Sequence, residues 1–323
     1  MTTRARTIFL GSGAFAVPVV TTLAQRPEVD LLAAVTAPAR PGSRGRLTAT
    51  PVAEWAESRG LALLQPGRLR SPEAIDEIGG LKPELLVLAD YGQIVPKALL
   101  DMPRFGALNL HPSLLPRHRG AAPIAATILE ADGETGVSLM LMDAGVDTGP
   151  LLAQRRVALQ GDETAPDLED RLANTAATLL GESLGPWLRG ELQPRPQPEE
   201  GATLTRPLRR EDGRLDPQRS AAELERQVRA YQPWPGSFFD TPSGRIIAWR
   251  ARSANTIVET QAGVIQALDE GLALATADGL LELIEVQPAG GRRMTGAELL
   301  RGRPALAGST VLEPPPAGTA ASR

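Results

Sequence analysis

The sequence predicts an α/β architecture: a Rossmann-like, mostly parallel doubly wound sheet followed by a small C-terminal β-barrel, OB-like in form. Three observations lead there. Short apolar runs alternate with helical stretches through residues 1–189, prolines crowd residues 190–207, and from 208 to 312 the apolar period shortens to that of strands. A length of 323 residues accommodates about two domains with sizeable cores.

Taken in order, Thr7–Gly11, Leu31–Thr36, Leu85–Ala89 and Ala107–Leu110 read as strands and Val137–Met142 as a fifth, with helices in the intervals. Such alternation builds βαβ units around a parallel sheet, whose ligands bind beyond the carboxyl ends of the strands. Asp162–Arg189 reads as a long helix. Pro194, Pro196, Pro198 and Pro207 then make Gly190–Pro207 an extended linker. Beyond it, Ser220 and Glu223 have capping-box spacing ahead of Leu224, Val228 and Tyr231, and Pro233 and Pro235 stop that helix. Ile246–Trp249, Gly263–Leu268, Leu272–Thr276 and Leu280–Val286 read as short strands separated by Gly and Asp turns. The expected division is a catalytic domain at 1–189, a linker at 190–207, a β-barrel domain at 208–312 and a disordered tail at 313–323.

Composition narrows the chemistry. The chain has no cysteine and only two histidines, His111 and His118, which excludes disulfides, thiolate nucleophiles, Fe–S clusters and multi-histidine metal sites. Function is left to oxygen and nitrogen groups, with no metal expected. No apolar run approaches the roughly 20 residues of a membrane span, and a first strand near Thr7 leaves no room for a leader, so a cytoplasmic protein without membrane contact is expected. A monomer is the default expectation. The net charge of −4 argues against indiscriminate coating of nucleic acid. Residues 205–323 are nearly balanced, with 15 Lys+Arg against 14 Asp+Glu, so only local basic patches carry weight there.

Three motifs lie where a sheet of this kind binds ligands. Gly11–Ala16 (GSGAFA) fits the dinucleotide-binding fingerprint, but the required acid at the end of the second strand is missing: Asp30 precedes that strand, which ends at Thr36 and Ala37. A tight strand-to-helix turn is the favoured explanation of the glycines. The segment NLHPSLLPRHRGAAPI puts Asn109 and His111 two residues apart at the end of a strand, so both face one side and an amide donor meets an imidazole there. Pro112 and Pro116 stiffen the loop, and Arg117 and Arg119 add charge. LMDAGVDTGP brings Asp143 and Asp147 into a Gly-rich turn. An Asx turn accounts for Asp143 as well as function does, whereas Asp147 is the carboxylate suited to orient His111.

Asn109-x-His111, the SLLP run, Arg119–Ile124 and Asp147-Thr148-Gly149 together resemble the folate-dependent formyltransferases. FLGSGAFAVP, DYGQIVPK, REDGRLD, YQPWPGSF and QPAGGRRM extend the resemblance over residues 5–312, and RGAAPI with the C-terminal stretch is similar to the branch that formylates a tRNA. The resemblance implies transfer of the formyl group of 10-formyltetrahydrofolate to the α-amino group of methionyl initiator tRNA. The tetrahedral adduct needs oxyanion donors and a proton acceptor, roles that fall to Asn109, His111 and Asp147. Ser113, Leu114, Leu115 and Pro116, with the backbone of Tyr91, Gly92, Gln93, Ile94, Asp143, Gly145 and Val146, would enclose the folate. Arg40, Arg44 and Arg46 correspond to a basic loop that reaches the acceptor stem. Arg206, Arg209, Arg210, Arg245 and Arg250, with Arg252, Arg292 and Arg293, would extend a basic track. Two positions depart from the family's habit: Asp90 stands where Ala is usual, and the basic loop is poor in lysine, with Leu47 and Thr48 following Arg46. Competing readings are a formyltransferase for a sugar-nucleotide amine, a nicotinamide-dependent dehydrogenase and a noncatalytic RNA-binding protein.

Overall fold

The computed structural model describes residues 4–41, 47–254, 260–269 and 271–312. Arg44 and Arg46, and the tail expected at 313–323, lie outside the described residues. The chain divides into two compact units, the first formed by Met1–Thr127, Asp132–Gln160 and Asp167–Pro207, the second by Ile128–Ala131, Gly161–Pro166 and Leu208–Arg323.

The first unit begins with β1 (Ala5–Gly11), α1 (Ala16–Ala24) and β2 (Val29–Val35). A short ladder, β3 (Arg40–Pro41) against β4 (Leu47–Thr48), leads to α2 (Pro51–Glu57), β5 (Ala62–Leu64) and α3 (Pro72–Gly80). Both helices start by the same device. Thr50 and Ser71 cap the backbone N–H groups of Ala53 and Ala74, and a proline occupies the first helical position, where no N–H is needed. Then come β6 (Leu85–Ala89), α4 (Lys97–Leu100), β7 (Ala107–His111), β8 (Arg119–Gly120) and α5 (Pro123–Leu129). The long α6 (Ala165–Leu188) follows β9 (Glu134–Leu141) and β10 (Leu151–Ala158), and β11 (Leu204–Thr205) closes the unit.

These strands form a seven-stranded sheet in the order β10-β9-β7-β6-β1-β2-β5. The five strands from β7 to β5 are parallel, and β9 and β10 add an antiparallel edge. The parallel strands are apolar on both faces, since helices cover both: Ile8, Phe9, Leu10, Leu85, Leu86 and Val87 are all fully buried. From β1 the chain first moves toward β5, then returns to the other side of β1 for β6, so the topological switch point lies between the carboxyl ends of β1 and β6.

The second unit carries α7 (Ala221–Ala230), β12 (Ser237–Thr241), β13 (Gly244–Ala254), β14 (Ile265–Leu268), β15 (Gly271–Ala275), β16 (Leu280–Pro288), β17 (Met294–Thr295) and α8 (Gly296–Gly302). Its six strands form one antiparallel sheet, ordered β12-β13-β16-β15-β14 with β17 on β16. The capping box read from the sequence is present: Ser220 Oγ accepts from Glu223 N–H, and the Glu223 carboxylate accepts from Ser220 N–H. Leu224 and Val228 of α7 pack with Phe239, Ile246, Leu272, Leu281 and Leu283 of the sheet. The expected α/β fold with a small C-terminal β-domain is the fold observed.

Two differences have physical causes. The sequence reading contains neither β5 nor β10, because β5 is three residues long and β10, at the sheet edge, is broken by the polar run Gln154-Arg155-Arg156, whose arginines pair with Glu182 and Glu134. The proline-rich stretch 190–207 is extended, as read, but does not hang free. Arg195 exchanges backbone hydrogen bonds with Leu151, and Leu204–Thr205 pair in parallel with Arg119–Gly120. Proline removes donors from a chain without preventing its remaining N–H and C=O groups from pairing elsewhere.

Candidate active site

β7 ends on Asn109 and His111, whose side chains share one side of the strand, as period 2 requires. The turn after β9 brings Asp147 to them. Asp147 Oδ1 accepts from Asn109 Nδ2 at 3.3 Å, and Oδ2 lies 3.5 Å from His111 Nδ1. Oδ2 also accepts from the backbone N–H of Gly120 at 2.8 Å. The three side chains expected to act together therefore converge, and all are largely buried.

Asp147 is held in a left-handed backbone conformation (φ 52°), which a non-glycine residue keeps only when its surroundings fix it. Those surroundings are specific. Gln197 Nε2 donates to the carbonyls of Asp147 (2.8 Å) and Gly149 (2.7 Å), and Gln197 Oε1 accepts from Arg119 Nε. Asp143 Oδ1 accepts from Gly145 N–H and Thr148 Oγ1, closing the turn as an Asx motif. Gly120 must be glycine: its φ is 98°, and a Cβ there would stand 2.2 Å from the Thr205 carbonyl oxygen.

His111 Nε2 lies 2.8 Å from the carbonyl oxygen of His118. A carbonyl only accepts, so Nε2 carries hydrogen and donates. The Nδ1 edge then faces Asp147 at 3.5 Å, a separation too long for a good hydrogen bond, so that in the protonated ring the Nδ1–H is available to a ligand oxygen. Asn109 likewise keeps one amide hydrogen beyond the one directed at Asp147. The arrangement supplies two donors and one carboxylate around a single point.

The glycine-rich turn after β1 is explained by packing. A Cβ on Gly11 would meet the Ala89 carbonyl oxygen at 2.7 Å, and one on Gly13 would overlap Asp90 Oδ2 at 1.8 Å. Ser12 Oγ accepts from Ala37 N–H and from Thr36 Oγ1, knitting the ends of β1 and β2 together. Asp90, with φ 47°, is an exposed residue whose carboxyl lies against Gly13. Desolvation, with Glu169 as a second negative charge, pushes its pKa up to about 6 against a hydrogen bond from the Gly13 backbone.

The other expected site residues fall into distinct places. Ile94 and Val146 are large apolar side chains left 86% and 55% exposed. Gly92 adopts a positive φ. Gln93 is spent on structure, accepting from Leu69 N–H and donating to the Pro66 carbonyl. Tyr91 is buried in the core, and that burial pushes its phenol up to about 12. The Ser113 hydroxyl turns inward to the Arg117 carbonyl. Leu114, Leu115 and Pro116 line a cavity of about 370 Å³ with Arg117, His118 and Asp132.

Of the basic residues, Arg40, Arg206, Arg209, Arg210 and Arg250 are exposed. Arg245 is engaged twice, pairing with Asp240 and stacking 3.8 Å above Phe238. Gly120, Gln197 and the His118 carbonyl are site groups that the sequence reading did not pick out. They act through backbone atoms or across large sequence separations, which leave no periodic signal.

Residues 5–184 match the formyl transferase family and 207–304 its C-terminal domain. The chain belongs to the formyl transferase family. Within it, the chain is 43% identical over 308 residues to the methionyl-tRNA formyltransferase of Myxococcus xanthus, covering 95% of this chain and 97% of that protein. It is 45% identical over 299 residues to that of Thermus thermophilus, covering 92% and 96%. Among solved structures, an N-formyltransferase from Helicobacter canadensis with folinic acid and dTDP-3-aminofucose shares the fold at TM-score 0.63 and 14% identity, covering 90% of this chain and all of that one. HypX from Aquifex aeolicus with tetrahydrofolic acid does so at TM-score 0.63 and 17% identity. The match covers 92% of this chain, which spans about half of HypX, 47% of its length.

Proposed function

We propose that this protein transfers the formyl group of 10-formyltetrahydrofolate to the α-amino group of methionyl initiator tRNA. The observation that carries the reading is the convergence of Asn109, His111 and Asp147 at the carboxyl end of β7. Relatives of the same length named for this reaction support the acceptor. In the reaction the amine nitrogen bonds to the formyl carbon, the carbonyl oxygen takes up negative charge, and the bond from that carbon to the folate nitrogen then breaks. Asn109 Nδ2–H and, from the protonated ring, His111 Nδ1–H donate to the oxyanion, each contributing on the order of 3 kcal/mol in the transition state. Asp147, beside both, accepts the proton released by the amine and keeps His111 oriented. The leaving folate nitrogen recovers a proton, so the exchange balances.

Exposed Ile94 and Val146 would cover the folate's apolar body, with the backbone of the Tyr91–Gln93 and Asp143–Gly145 turns around it. Arg40 at the base of the β3–β4 ladder, with Arg44 and Arg46, would meet the acceptor stem, joined by Arg206, Arg209, Arg210 and Arg250. The test is incubation with 10-formyltetrahydrofolate and charged methionyl initiator tRNA, with a UDP-amino-sugar in parallel. Formylation of the tRNA alone is expected; transfer only to the sugar overturns the acceptor, and transfer to neither overturns the reaction.

A further inference from the structure

The second histidine of the chain is buried beside the first, and the mechanism above leaves its side chain without a task. His118 is 4% exposed and takes a left-handed backbone conformation with φ 58°. Glycine would adopt that conformation freely, whereas histidine needs a clamp. The clamp is visible. His118 Nε2 donates to Asp132 Oδ2 at 2.7 Å, and the His118 backbone N–H donates to Thr203 Oγ1 at 2.8 Å. Asp132 is itself fixed by two bonds from Arg117, at 3.0 and 2.5 Å. Burial opposes ionisation of Asp132, but the bonds and charges of Arg117 and His118 prevail and hold its pKa below the usual carboxylate value.

The consequence appears at the main chain. Fixing residue 118 in this conformation aims its carbonyl oxygen at His111 Nε2, 2.8 Å away. That single bond determines which imidazole edge is anchored and which faces Asp147. Resting on the assignment of His111 given above, we propose that His118 is a positioning residue: the Asp132–His118 pair holds the carbonyl that orients the His111 imidazole toward the reacting atoms. His118 then acts without touching either substrate, through its backbone, while its side chain sets the backbone. The charged groups around this assembly are Asp147 and Arg119 on the His111 side, and Arg117, Asp132, Glu134 and Arg156 on the cavity side of His118.

Four variants test the proposal by steady-state kinetics with both substrates, a pH-rate profile and a thermal melt. His118→Asn tolerates the left-handed conformation but is too short to reach Asp132. It is expected to lower kcat about tenfold, well short of the roughly hundredfold that a 1 Å misplacement costs, with both KM values within about twofold. Because the residue 118 carbonyl no longer fixes the His111 ring, the pH-rate profile should shift relative to the parent protein. His118→Gln, whose amide nitrogen reaches the place of Nε2, should recover most of the rate. Asp132→Asn should shift the profile in the same direction without moving KM. Unchanged kcat and profile in both His118→Asn and Asp132→Asn overturn the proposal, as does a loss in His118→Gln equal to that in His118→Asn. His111→Ala separates the two readings. If it is inactive while His118→Asn is normal, only the positioning role fails; if it is active, the catalytic assignment fails as well.

Discussion

The end of β7 and the arginines proposed for tRNA differ in how their polar groups are used. At β7, the side chains are fixed before any ligand arrives, His111 by the His118 carbonyl and Asp147 by Asn109 and Gly120, while one Asn109 amide hydrogen and the His111 Nδ1 edge stay open to a ligand. Among the arginines, Arg40, Arg209, Arg210 and Arg250 are exposed, Arg206 is exposed and donates to the Pro207 carbonyl, and Arg245 pairs with Asp240. A group that must stabilise charge in a transition state benefits from being fixed in advance, because no reorganisation is needed when the charge develops. A group that meets a phosphate gains by displacing counterions, and mobility costs it little.

The comparison breaks most visibly at its rigid end. His111→Ala and Asp147→Ala are each expected to lower single-turnover formylation at least about a hundredfold, from the size of oxyanion and acid–base contributions. A drop of only two- or threefold in either would mean that preorganisation at β7 serves folding and not the reaction. Next come the arginines. Replacing Arg40, Arg44 and Arg46 together with Ala should flatten the salt dependence of tRNA binding by about 0.7 to 0.9 in log–log slope per lost phosphate contact. Arg245→Ala should leave that slope alone, because its charge is already partnered; a slope change in Arg245→Ala and none in the triple variant would invert the assignment.

A smaller effect belongs to Asp90. Its carboxyl titrates near 6 when folded and near 3.8 in a free chain, so the folded state holds this proton more tightly. Ionisation above pH 6 therefore costs the folded state, and stability from this group rises as the pH falls from about 6 toward 4. Asp90→Asn should raise Tm at pH 8 by about 1–3 °C and lose that gain near pH 4, as followed by thermal melts. An equal change at both pH values would show that water in the cleft screens the carboxylate. Last is a purely structural cap. Backbone and side-chain hydrogen bonds from Ser220, with Arg219, hold Glu223 at about 2, so Ser220→Ala should cost about 1 kcal/mol in urea unfolding of the second unit.

Much of this was legible in the sequence, for identifiable reasons. Asn109 and His111 were found because strands have period 2 and a parallel sheet binds ligands at strand ends. Asp147 was found from its place in a turn after an apolar run. Asp143 stayed open between turn and function on sequence alone; its bonds to Gly145 and Thr148 give it a structural job in that turn. Gln197 was hidden because it lies 50 residues from the carbonyl it steadies, within a stretch whose prolines read as a linker. His118 was hidden because the atom that matters is its carbonyl oxygen, which every residue possesses.

The pairing of β8 with β11 bears on how much chain the chemistry needs. Arg119–Gly120 and Leu204–Thr205 pair directly, and Gln197, Thr203 and Thr205 bond into the turns around Asp147, His118 and Ala122. A fragment ending at residue 189 would retain all three side chains proposed to react and lose the segment that steadies two of them. A fragment meant to keep the proposed chemistry should therefore extend at least to Pro207, and proteolytic nicking between 190 and 207 should erode turnover before it erodes the sheet.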